Sequence, residues 1–95
     1  MSVQANIIEA AEVMHECVAS YVETVLVHEM MDGKTVWKGN VDVLSPDGCK
    51  ESDTAFAWCY EDGEGKKQYI SVLKIPPVVS PREAVQAAIA SGTFQ

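Results

Sequence analysis

Asp-Gly occurs three times in this chain, at Asp32-Gly33, Asp47-Gly48 and Asp62-Gly63, each fifteen residues after the last. Between alternating apolar runs the dipeptide is a strong hairpin signal, because tight hairpin turns need positive φ and both residue types tolerate it. Three such turns delimit four segments of similar length, which predicts an antiparallel meander. The segments do not match one another, so this is not a sequence repeat. Thr24–Met31, Thr35–Leu44, Thr54–Glu61 and Lys67–Ile75 are rich in β-branched and aromatic residues, as strands are. Pro76-Pro77 ends the fourth, since neither residue can donate to a ladder. Ser45–Asp53 is the longest polar connection and is expected to be mobile.

The first hairpin can be read in two registers. A three-residue loop, Asp32-Gly33-Lys34, pairs Met31 with Thr35 and sets Val25 opposite Val41, Val27 opposite Gly39 and Glu29 opposite Trp37. Val25, Val27, Trp37, Val41 and Val43 then share one face. A two-residue turn pairs Met31 with Lys34 and mixes apolar and polar residues on both faces. The first register is preferred because it separates the faces.

Helical periodicity flanks the strands. Val3, Ile7, Ala10, Met14, Cys17 and Tyr21 recur at alternating spacings of four and three, widened by Ala11 and Val18, which predicts a helix over 3–21. Ser2 or Asn6 with Glu9 would cap it. Glu9, Glu12 and Glu16 form an acidic ridge on another face. At the other end, Ser80-Pro81-Arg82-Glu83 places a capping residue, a proline at the first helical position and a glutamate three after the cap. Ala84, Val85, Ala88 and Ile89 give a narrow apolar stripe, and Gly92 stands where a left-handed cap would fall. The expected fold is α+β, one domain over 1–95. It is a two-layer sandwich, α-β-β-β-β-α, with a four-stranded antiparallel meander and both helices on one face.

Composition narrows the function classes. The 95 residues are 47% hydrophobic and 22% charged, which fits a globular chain rather than a disordered one. No apolar run approaches the ~20 residues of a membrane span, and the opening MSVQANIIEAAE lacks the basic start of a secretory signal. Fourteen acids against seven bases give a formal charge of −7, and no Lys or Arg precedes Lys34. Such a field repels phosphate backbones and anionic headgroups, so neither nucleic acid nor membrane is an expected partner. Cys17, Cys49 and Cys59 are odd in number and form no C-x-x-C pair. They read as free thiols in a reducing, cytoplasmic setting, and their spacing with His15 and His28 does not suit zinc.

Catalytic patterns are scarce. There is no phosphate-binding glycine loop, no serine-centred elbow and no His-Glu-x-x-His helix. His15 falls near the acidic ridge, where carboxylates would favour its charged form. His28 points outward in the preferred register. Glu61 with Asp62 and Glu51 with Asp53 fall in polar turns, where carboxyls stay solvated. No enzyme activity, cofactor or metal is expected.

The third strand carries the sharpest contrast. Ala55, Ala57 and Cys59 line one side, and Phe56, Trp58 and Tyr60 the other. Large aromatics belong in a core, so the aromatic side is expected to face inward. Turned outward it would form an apolar patch that monomers rarely expose.

The order helix, antiparallel strands, helix is similar to that of the double-stranded-RNA-binding domain, and an aromatic sheet face resembles RNA-recognition domains. The first family has three strands and a basic start to its second helix. Here there are four strands and PREAVQAAIASG, with Arg82 its only base, and the acidic balance opposes RNA. No family is identified from the residues. The expected function is a small cytoplasmic non-catalytic binding or assembly domain. It is expected to form a homodimer, or bind another protein, through Trp37, Phe56, Trp58 and Tyr60. The alternative is an acidic inhibitor that imitates nucleic acid through Glu9, Glu12 and Glu16 and binds a basic protein.

Overall fold

Helix α1 runs over Val3–His15, shorter than its apolar period predicts. Glu16 takes a positive φ of 52°, and the Cys17 amide reaches back to the Glu12 carbonyl at 3.2 Å, the six-to-one bond of a left-handed helix end. The Glu12 carboxylate then accepts from the Ala19 amide at 2.9 Å, tying the helix to the strand that follows. Residues that would have extended the helix to Tyr21 instead begin strand β1, Val18–Met31, paired with the end of β2, Lys34–Asp47. The structure, a computed structural model, describes residues 3–91, with side chains from residue 5 onward. Asn6 lies inside the helix, while Ser2, the Val3 side chain and Gly92 lie outside those described.

Strands β3, Ala55–Glu61, and β4, Lys67–Leu73, complete an antiparallel sheet ordered β1-β2-β3-β4, with α2, Pro81–Ala90, after it. The expected α-β-β-β-β-α meander is present, with a helix at each end of the chain. The preferred pairs Val25–Val41, Val27–Gly39 and Glu29–Trp37 are also present. The turn between them is the two-residue one. Asp32 and Gly33 both have positive φ, 53° and 76°, and Met31 pairs with Lys34. A register shift between Glu29 and Met30 absorbs the extra residue, so a two-residue turn and separated faces coexist.

The helices do not share one face as expected. Phe56 and Trp58 pack with Val27, Val41 and Ile70 beneath Ala84, Val85 and Ala88 of α2. Ala55 and Ala57 pack with Ala19 and Leu44 beneath Ile7 and Ala11 of α1. Adjacent residues of one strand point to opposite sides, so α1 and α2 cover opposite faces and the molecule has three layers. The reason is that β3 is apolar on both sides, and each side needs a cover. A register shift between Tyr21 and Glu23 reverses the facing of β1, sending Ala19 toward α1 and Val27 toward α2. Small side chains let α1 approach the sheet closely, and the aromatics fill the volume under α2.

Local chemistry fixes the remaining connections. Ser80 accepts from the Glu83 amide at 3.3 Å, and its hydroxyl donates to the Glu83 carboxylate at 3.0 Å. That carboxylate also accepts from the Val79 amide rather than from the Ser80 amide that a capping box would use. In β2, Gly39 makes room for Trp37, since a Cβ there would stand 2.7 Å from the indole Cζ2. At the third Asp-Gly the positive φ belongs to Gly65, not Gly63. Asp62 closes that hairpin by accepting from the amides of Glu64 and Lys66 and from Gln68. The β2–β3 connection is shorter than expected because β2 continues to Asp47, and Ser52 anchors it by donating to the carbonyls of Thr54 and Lys74.

Candidate functional site

The residues expected to form a contact face lie mostly in the core. Trp58 is fully buried, Phe56 is buried, and Trp37 and Tyr60 are half-buried at the margin of the same cluster. Trp37 and Trp58 meet with ring centroids 6.1 Å apart and planes tilted by 47°. The inward placement of the aromatic side is therefore correct. Phe56 and Trp58 lie beneath α2, so of the four expected contact residues Trp37 and Tyr60 are the ones that keep part of their surface open.

The acidic ridge is likewise divided. Glu9 is exposed, Glu12 is engaged with the Ala19 amide, and Glu16 stands beyond the helix. His15 Nε2 lies 2.7 Å from Ser71 Oγ, joining the end of α1 to β4. Burial lowers the His15 pKa, and the charge of Glu51 opposes this without overcoming it, so His15 favours its neutral form rather than the charged form expected. Ser71 is a partner that sequence spacing could not provide, being 56 residues away. His28 is exposed and meets Thr35 Oγ1 at 2.9 Å. Asp62 is held below the usual carboxylate range by its bonds from Gln68, Lys66 and Glu64, so it stays charged and closes a turn. Among the described residues no group of three or more His, Cys, Asp or Glu side chains is placed to hold a metal ion. No helix among them is long and apolar enough to cross a membrane.

What the fold does expose is the hairpin of β1 and β2. Leu26 is 63% exposed and Met31 60%, with Val22, Met30 and Val36 also open to solvent. A groove of about 290 Å³ runs between the hairpin tip and α2, lined by Met30, Met31, Val36 and Ile89 among others. Strand β1 is at the edge of the sheet, with β2 its neighbour on one side. Over 18–31 it contains no Lys, Arg or Pro, the residues that commonly guard an edge against pairing. The alternation of β1 hinted at a half-buried strand. It gave no sign that this strand would be an edge, which depends on the order of all four.

One ionic contact borders this surface. Glu29, buried on β1, accepts from Gln86 at 3.0 Å and from Arg82 at 3.2 Å, both on α2. Its pKa is lowered, chiefly by the Gln86 hydrogen bond and further by Arg82, against the opposing effect of burial. A group with a depressed folded pKa stabilises the fold above its unfolded pKa and loses that contribution as pH falls through the folded value. Wild-type stability is therefore expected to drop as pH falls below about 4.3, the ordinary glutamate value. Glu29→Gln is expected to be about 1 kcal/mol less stable at neutral pH. The difference should shrink with acidification, as read from urea midpoints across pH 7 to ~3. An unchanged difference across that range would remove Glu29 as the titrating link.

Comparison with known proteins finds no match. No family model, no curated protein and no solved structure matches this chain.

Proposed function

We propose that this chain is a non-catalytic cytoplasmic assembly domain that forms a homodimer through the edge of β1 and the apolar β1–β2 hairpin. The observation that carries the reading is an edge strand without Lys, Arg or Pro in a hairpin that leaves Leu26, Met30, Met31 and Val36 each exposed. Unpaired backbone groups on such an edge are a template for another strand. Antiparallel pairing of β1 with its own copy is self-complementary, as a two-fold dimer requires. It would join two four-stranded sheets and bring Leu26 of each copy beside the new strand pair. Expected absence of a nucleic-acid or membrane partner follows from the charge of −7. An acidic mimic of nucleic acid has less support, because Glu12 is engaged within the fold and Glu16 stands beyond the helix.

Light scattering on a sizing column tests the reading. The parent is expected to elute with dimer mass at micromolar concentration, and Leu26→Lys with monomer mass and an unchanged far-ultraviolet spectrum. Leu26 is exposed, so lysine there does not disturb the core. A monomeric parent, or a dimer untouched by Leu26→Lys, would overturn it.

A further inference from the structure

Cys17 and Cys49 are 32 positions apart in the sequence, yet the hairpin brings their chain segments together. Val18 pairs with Asp47 at the outer end of the β1–β2 ladder. Cys17 is the residue just before that pair, and Cys49 follows it by two positions, after Gly48. Continued register would set Cys17 opposite Gly48 with Cys49 one residue further on, and the turn at Gly48, φ +86°, ends the alternation that would otherwise fix the side to which Cys49 points. Glu16, the neighbour of Cys17, and Cys49 line one cavity, which keeps the two chain segments within reach of each other. Both ends are free of ladder constraints: Cys17 follows the left-handed Glu16, and Cys49 follows Gly48, whose φ is +86°. Both side chains are half-exposed, open to a small oxidant. Cys49 also lines a cavity of about 410 Å³ with His15, Lys50 and Glu51 at the end of α1.

We propose that Cys17 and Cys49 form a reversible intramolecular disulfide with a low-molecular-weight disulfide such as oxidised glutathione. The bond would close the β1–β2 hairpin covalently and fasten the end of α1 to the β2–β3 connection. Burial raises the Cys17 pKa, and the charges of Glu12 and Asp47 raise it further, as a thiolate at Cys49 would. Cys17 is therefore held as the thiol, and we assign the first attack to Cys49. The Cys49 thiolate attacks one sulfur of oxidised glutathione, breaking its S–S bond and releasing one glutathione thiolate. Cys17 then loses its proton and attacks Cys49 Sγ, releasing the second glutathione. Two protein thiols are oxidised, and one glutathione disulfide is reduced to two thiols.

The test uses the reduced full chain in native buffer with excess oxidised glutathione, followed by alkylation and mass spectrometry. The expected product has lost two hydrogens, carries one alkyl group on Cys59 and yields a linked Cys17–Cys49 peptide. Cys59→Ser should form the same link, whereas Cys17→Ser should stop as a glutathione adduct on Cys49. Closing the loop should raise the melting temperature by roughly 10 °C. A parent that stops at glutathione adducts, links Cys59 or joins two chains would overturn the proposal. These readouts are internal to one chain, so they stand whether or not the protein dimerises.

Discussion

Replacing Trp58 by Ala is expected to destabilise the domain by about 3–5 kcal/mol, the usual loss for a large aromatic deleted from a core. Trp58 has no exposed surface and packs among Val27, Val41, Ile70 and Val85, with Trp37 against its ring. Its removal takes away contacts from β1, β2, β4 and α2 together. Against a total stability of about 5–15 kcal/mol for natural domains, this is a large share. Urea unfolding followed by circular dichroism measures it. Trp58→Phe keeps most of the apolar volume and gives a smaller loss if the Ala variant does not fold. A loss under about 1 kcal/mol for the Ala variant would contradict the packing of the face beneath α2.

Leu44→Ala is expected to cost about 2–5 kcal/mol, through the opposite face. Leu44 is also fully buried, but its neighbours are Ile7 and Ala11 of α1 with Ala19, Ala55 and Ala57. Such a cavity loosens the elements that line it before the rest, so the two variants should differ in where amide exchange accelerates. Leu44→Ala should accelerate exchange in α1 more than in α2, and Trp58→Ala the reverse. Equal acceleration of both helices by Trp58→Ala would mean that they share a layer, contrary to the two separate clusters.

Both proposals about this protein lie at the two ends of the long β1–β2 hairpin. The tip leaves Met30 and Met31 open beside a free edge, while Cys17 and Cys49 lie just past the base, where Val18 pairs with Asp47. A disulfide at the base would remain compatible with pairing along β1, because the half-exposed thiols stand outside the strand.

The sequence determined the elements whose causes are local. Asp32-Gly33 made the hairpin turn, and Ser80, Pro81 and Glu83 set the start of α2, because turn conformations and caps depend on a few adjacent residues. The alternation of Val25, Val27, Val41 and Val43 fixed the register, since a slip by one residue would turn every side chain to the wrong face. The tertiary structure decided where that local logic was ambiguous. Cys17–Tyr21 continue a helical period, yet Val18–Tyr21 pair with Leu44–Asp47, and strand pairing prevailed over periodicity. Both sides of β3 are apolar, so only packing could settle which helix covers which side. Contacts such as Glu29 with Arg82, or His15 with Ser71, join residues more than fifty positions apart. A period of two or 3.6 describes how a segment faces its surroundings. It carries no record of which distant segment those surroundings will be.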